Sequence, residues 1–216
     1  MNVQLTIVTL ALALSTTTAC AIESPDPDPE PDLQHRLGGR VFLPITAPCE
    51  VAFGITNDAT GTEMPPLQPE VTGGELILRT TADGLLLVEG LTIELGDVDT
   101  TKPVGDDIHR LQLTDLRLRL GTLAAIEPEW SAVQVAGTGT GDLLLDWALR
   151  DDDGDVHPLA TQRVRAAELG VIVAVDAEGR IGAALDSVTS GRLWDFGDIA
   201  VGDLSLSLTA SEPAGE

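Results

Sequence analysis

The feature that most constrains this chain is a two-residue alternation of apolar and polar side chains that recurs from about residue 37 to the C-terminus. Leu91-Thr92-Ile93-Glu94-Leu95 alternates without a break, and Ser205 and Ser207 separate Leu204, Leu206 and Leu208. Leu116-Arg117-Leu118-Arg119-Leu120 sets leucines on one face and arginines on the other. Val41, Leu43 and Ile45 repeat the pattern, as do Val51, Phe53 and Ile55. Successive side chains of a strand point to opposite faces, so runs of this kind make half-buried strands. Turn residues interrupt them at Ala82-Asp83-Gly84, Val104-Gly105-Asp106-Asp107, Asp151 to Asp155 and Asp176-Ala177-Glu178-Gly179. The last of these predicts a tight hairpin between residues 171–175 and 181–185, with Gly179 at positive φ. Residues 159–169 fit either a short helix or a returning strand. A parallel sheet would need a helical crossover after most strands, and the sequence offers no such series. The expected fold is therefore all-β: a single antiparallel domain over residues 37–216, as a sandwich, a barrel or a strongly curved sheet, of about ten to twelve strands.

The N-terminus is organised differently. Leu5, Ile7, Val8 and the run Leu10 to Leu14 form an uncharged apolar stretch, shorter than the roughly 20 residues needed to span a bilayer and of the length of a signal-peptide core. Small residues, Ser15 to Ala19, lead to Cys20. Residues 23–32 then read Glu-Ser-Pro-Asp-Pro-Asp-Pro-Glu-Pro-Asp. Each proline fixes φ and extends its predecessor while like charges repel, giving a stiff spacer of about 3 Å per residue. This segment resembles a bacterial lipoprotein precursor. The resemblance covers about the first 35 residues and implies S-lipidation of Cys20, for instance by palmitate, as the mature N-terminus and membrane anchor. Thr17 stands where that pattern usually has leucine, and no Lys or Arg precedes the apolar run. Ala19-Cys20-Ala21 also fits an ordinary secretory cleavage site. The expected organisation is a signal peptide over 1–19, a lipidated cysteine with an acidic linker over 20–36, and a globular part over 37–216.

Charge narrows the partners. The chain carries 35 Asp and Glu against 12 Lys and Arg, a formal net charge of −23, which repels phosphate backbones and anionic membrane surfaces. Nucleic acid is thereby excluded as an expected partner, and a membrane contact would run through acyl chains. With Cys20 lipidated, Cys49 is left without a disulfide partner, so a packed core must supply stability. Cys49 reads as an inert, buried thiol, with nucleophile or metal ligand as the alternative.

Few constellations carry chemistry. Asp151-Asp152-Asp153-Gly154-Asp155 gathers four carboxylates on a turn; it reads as a solvated hairpin tip or as a weak calcium site using Asp151, Asp153 and Asp155. Its glycine stands fourth, and no glutamate closes an EF-hand loop. His35, His109 and His157 lack metal-ligand spacing. Gly137-Thr138-Gly139-Thr140-Gly141 resembles a phosphate loop, yet a strand pattern follows it and leaves no helix N-terminus to hold an anion. No nucleophile elbow occurs, so an enzyme is not expected. Leu85 to Val88, Leu143 to Leu145 and Val171 to Val175 are apolar on both strand faces, which calls for a second covering layer, a cavity or a partner surface. Leu144, Ile172 and the pair Trp194 and Phe196 are the candidate apolar patch. The sequence thus suggests an exported, lipid-anchored protein of the cell envelope, at the outer membrane or cell surface, with a non-catalytic binding or structural role. The alternative is a carrier of an apolar ligand such as a lipid, held among leucines and valines.

Overall fold

A computed structural model describes residues 33–104, 107–131, 133–196 and 199–213, with side chains described outside 100–111 and 194–199. In chain order the elements are α1 (Leu33–Arg36), β1 (Val41–Asn57), β2 (Thr62–Leu67), β3 (Val71–Thr80), β4 (Leu86–Leu95), β5 (Val98–Val104), β6 (Asp107–Leu120), β7 (Ala124–Trp130), β8 (Gln134–Arg150), β9 (Val156–Pro158), β10 (Gln162–Val175), β11 (Ile181–Phe196) and β12 (Ile199–Ser211). The segment 162–169, equally compatible with helix, is strand. All twelve strands belong to one antiparallel sheet that closes into an eight-stranded barrel.

The barrel is a meander. β1, β3 and β4 follow one another, then β8, β10, β11 and β12, and β12 returns to pair with β1 from Ile45 to Asn57. The place between β4 and β8 is shared. β7 fills it at one end, where Leu86–Val88 pair with Ala124–Ile126, and β6 fills it at the other, where Thr92–Glu94 pair with Arg117–Arg119. β5 and the first half of β6 extend from the wall as a hairpin, and β2 folds back on β1.

Alternation explains which face turns inward. Leu204, Leu206 and Leu208 are buried, as are Leu91, Ile93 and Leu95, while Ser205, Ser207 and Glu94 face water. An eight-stranded barrel is just wide enough for its inward side chains to meet. Here Leu43, Leu76, Leu78, Leu118, Leu143, Leu169 and Ile181 meet in one cluster with almost no exposure. The outside carries ion pairs: Arg119–Asp146 at 2.6 Å, Arg79–Glu89 at 2.6 Å, and Arg163–Asp142. A barrel standing in lipid would need an apolar outer band at these positions.

Curvature comes from two devices. Gly137, Gly139 and Gly141 alternate with threonines along β8, so the loop-like glycine run is a strand whose inner positions lack side chains. A Cβ at Gly139 would lie 2.3 Å from the Ala125 carbonyl oxygen and 2.7 Å from Ile126 Cδ1, so β7 can press against β8 only because nothing is there. The second device is a set of one-residue bulges at Asp115 (φ 54), Ala166 (φ 50) and Asp203 (φ 47) in β6, β10 and β12. Bulges increase local twist and bend the strand, which helps a sheet close on itself.

α1 closes one end. Leu33 and Leu37 are 1% and 0% exposed and join the core cluster. The Thr80 N–H donates to the Leu37 carbonyl at 2.7 Å, and Arg36 donates to the Gly179 carbonyl and, at 3.0 Å, to Glu212. The folded part therefore begins by Leu33, within the stretch expected to be linker. Replacing Gly139 by valine should destabilise the barrel by about 2–3 kcal/mol through overpacking. Gly170→Ala, whose Cβ meets nothing closer than 3.8 Å, should cost under about 1 kcal/mol; urea denaturation of both variants checks the contrast.

Candidate functional site

The wall is interrupted between β1 and β3, and it also parts between β10 and β11 beyond the Leu169–Ser187 pair; the first gap is the one that opens a lined cleft. β1 and β3 pair only from Val41–Leu78 to Pro44–Glu75. Beyond that point β1 follows β12, but with two extra residues: Thr46 faces Thr209, and Glu50 faces Ser207. The insertion contains Pro48, joined to Ala47 by a cis peptide bond. The Thr209 hydroxyl holds it by sharing its one proton between the Thr46 carbonyl at 2.6 Å and the Pro48 carbonyl at 3.1 Å. β1 thus leaves β3, and a cleft of about 600 Å³ opens, lined by residues 45–51 and 68–73. Cys49 lies in this cleft, partly buried, its thiol donating to the Thr46 carbonyl at 2.8 Å. Ile45, Val51 and Val71 form the apolar floor against the core, and Glu50 and Glu70 are exposed on the rim. Lys, Arg and His are absent from the lining.

The acidic loop has a different character. Asp151 Oδ1 accepts from the N–H groups of Asp153 (3.1 Å) and Asp155 (2.9 Å), and its other oxygen meets His157 Nε2 at 2.9 Å. The Gly154 N–H donates to the Asp151 carbonyl at 3.0 Å, with Gly154 at φ 89. The hairpin at Asp176 repeats this arrangement: Oδ1 accepts from Glu178 (3.0 Å) and Arg180 (2.8 Å), and the Gly179 N–H closes the turn at φ 78. Thr81 does the same through its hydroxyl, which accepts from the Leu85 N–H at 3.0 Å, with Gly84 at φ 83. Three hairpins share one local solution, in which a short polar side chain satisfies backbone donors two to four residues on. Both carboxylate oxygens of Asp151 serve that turn. Among the described residues no group of three or more His, Cys, Asp or Glu side chains is placed to hold a metal ion.

Of the candidate apolar patch, Leu144 and Ile172 stand at different positions on the outer wall. Leu144 points outward from β8, half-buried over Gly121, where a Cβ would meet its Cγ at 2.8 Å. Ile172 is 46% exposed on the outside of β10, between Ala136 of β8 and Ala184 of β11, while Val171 and Val173 point into the core. Leu86, Leu87 and Val88 are all buried. Trp194 and Phe196 end β11 opposite Val201 and Ile199; their side chains, and Cys20, lie outside the described residues.

Electrostatics on the barrel are dominated by staples. Arg119 and, next, the Thr161 hydroxyl hold the Asp146 carboxyl below its ordinary value of 3.8. The Ala166 N–H and then Arg163 do so for Asp142, Arg79 and Arg40 for Glu89, and His157 for Asp151. In each case the depressed group is tied to a neighbouring strand or turn. The alternation gave no hint of the cleft, because an insertion of two residues preserves the phase of Val41, Leu43, Ile45, Ala47, Cys49, Val51 and Phe53; Pro44 and Pro48 were its only marks. Compared with protein-family models and with curated proteins, the chain matches none.

Because the Asp146 carboxyl titrates below 3.8 in the folded state, the stabilisation from its pair with Arg119 is fully present above the ordinary value and is lost as pH falls through the folded value. A double-mutant cycle of Arg119→Ala and Asp146→Ala should give a coupling of about 0.5 kcal/mol at neutral pH, as for other partly exposed pairs. The same cycle repeated at successively lower pH below 3.8 should give a coupling that shrinks as the Asp146 carboxylate is protonated.

Proposed function

We propose that this chain is a lipid-anchored protein of the bacterial cell envelope, exported and held at the outer membrane or cell surface through Cys20, whose barrel has a non-catalytic binding or structural role. The observation that carries this reading is the succession of an apolar leader, Cys20 and a stiff acidic proline spacer, ahead of a chain that joins the barrel at the end closed by α1. A spacer of this kind suits a folded body kept clear of a membrane surface, and a chain of net charge −23 is repelled by anionic headgroups in any case. Support for a non-catalytic role comes from the perturbed carboxylates, which are locked to arginines, backbone donors or His157 on the outer wall and its turns. Catalytic carboxylates are instead found converging in a cleft.

A second reading, a carrier of an apolar ligand, draws on Ser187. It sits on the inward-facing row of β11, 2% exposed, and its hydroxyl has no hydrogen-bond partner among the described residues; the same holds for Thr189 two positions on. Buried hydroxyls are normally satisfied, and the polar end of a bound molecule would satisfy these. Against it stands the leucine filling of the barrel.

The anchor is tested by fractionation. The mature protein should begin at Cys20, carry acyl mass and partition into detergent, and Cys20→Ser should release it to the aqueous phase; a soluble mature form starting at Ile22 would overturn the reading. The two roles separate on native mass spectrometry and organic extraction of the full-length protein. A stoichiometric co-purifying lipid, lost in Ser187→Val, supports the carrier, whereas an empty barrel supports the binding or structural role.

A further inference from the structure

A fully closed barrel presents no strand edges; here β10 and β11 leave edges open beyond the Leu169–Ser187 pair, and at the cleft two open edges face one lined space. Within residues 45–52 of β1, residues 45–46 and 50–52 pair with β12 on one edge, and the whole stretch has no strand on the other among the described residues, because β3 stops pairing at Pro44 and β2 starts at Phe53. Residues 71–74 of β3 likewise pair with β4 alone. Two strands therefore offer open backbone edges to the same space, and an open edge is a template for another extended backbone. The space, about 600 Å³, lies within the range of ligand sites.

The lining selects the occupant. Glu50 and Glu70 stand on the rim with no cation among the lining residues, over the apolar floor of Ile45, Val51 and Val71. Phe42, 52% exposed, lies on the outer face beside Ile77 at the paired end of the seam. We propose that the cleft receives a short, extended, lysine- or arginine-bearing segment of a partner protein. That segment adds as a strand to the open edge of β3 and sets its cation by Glu50 and Glu70. This deepens the binding role proposed above and rests on it. The segment is short because the Pro44–Glu75 pair bounds the cleft at one end and residues 68–70 at the other. Four residues of β3 are open, enough for a strand of about four to five residues at roughly 3.3 Å each. A second copy of this chain is a poor occupant, since two acidic rims repel; electrostatic complementarity favours a basic partner and speeds its arrival.

Cys49 makes the cleft directly observable. In full-length protein carrying Cys20→Ser it is the single thiol, since the chain has 2 cysteines. The probe is a capped pentapeptide of alternating lysine and valine, with the glutamate–valine peptide as control. The basic peptide should slow alkylation of Cys49 by iodoacetamide at least about fivefold and protect backbone amides of residues 71–74 from hydrogen exchange. Glu50→Gln with Glu70→Gln should weaken its binding by about tenfold at low salt, as expected for losing two exposed charge pairs; the acidic peptide should do nothing. Equal effects of the two peptides, indifference to the double glutamine variant, or no protection at about 1 mM peptide would overturn the proposal. So would protection of Cys49 by decanoate instead of peptide, which would make the cleft a portal for an apolar ligand, or by self-association at high protein concentration. Loss of the anchor in the fractionation experiment would leave these outcomes unchanged, so failure of the site and failure of the tether are told apart.

Discussion

The pairing of β12 with β1 joins the two ends of the folded chain, and the rest of the barrel depends on it. An open meander of this length would have two long edges and an apolar face too large to cover; closing it removes both problems at once. The pairs run from Ile45–Ala210 to Asn57–Ile199, so forming the contact closes a loop that contains nearly the whole folded chain. A barrel whose decisive contact is its most distant one is expected to fold slowly and cooperatively. Its local elements are correspondingly well prepared: the three hairpins built on Thr81, Asp151 and Asp176 each carry their own side-chain clamp.

Closure also dictates where small and odd residues stand. β8 borders β10 and then β9 along one edge and is shared by β6 and β7 along the other, and its inner row is emptied at Gly137, Gly139 and Gly141 to let β7 in. Farther along the same strand, Asp142 accepts from the Ala166 N–H at 2.9 Å and pairs with Arg163, which holds the bulge of β10 in place. Asp203 likewise accepts from the Gly191 N–H at 2.7 Å across the bulge of β12. Many of the arginines on the outer wall act as cross-links between neighbouring elements: Arg79, Arg119 and Arg163 between strands, Arg192 to Asp58, and Arg36 to Glu212. In a chain so short of cations, those links leave few positive groups free for an anionic partner.

The fold class was legible because strand alternation is a local property. Leu204, Leu206 and Leu208 needed no tertiary information to point inward, and Gly179 needed none to turn a hairpin. The bulges were visible too, for anyone reading phase: the apolar row shifts by one between Leu113 and Leu116, between Val164 and Ala167, and between Val201 and Leu204, where Asp115, Ala166 and Asp203 sit. The choice of barrel over sandwich was not legible, because both use the same alternation and differ only in whether the last strand finds the first. The cleft was hidden for a sharper reason. A one-residue insertion flips every following side chain, but the two-residue insertion before Glu50 flips none. Ile172 misled in the opposite direction: an apolar residue between apolar neighbours reads as doubly covered, yet alanines beside it on either side leave it standing in water.

The plug at the closed end has a mechanical meaning. A pull applied at Leu33 does not reach β1 first; it loads the contacts of Leu33 and Leu37 with the core and the Arg36 links to Gly179 and Glu212, which lie at the β10–β11 hairpin and just beyond the end of β12. Only after those yield would force pass to Val41, and there β1 is paired with β3 and, from Ile45 onward, with β12. Along its axis such a strand must shear several backbone bonds together instead of parting them one by one. A force entering at Leu33 is therefore met by side-chain contacts before it reaches paired backbone.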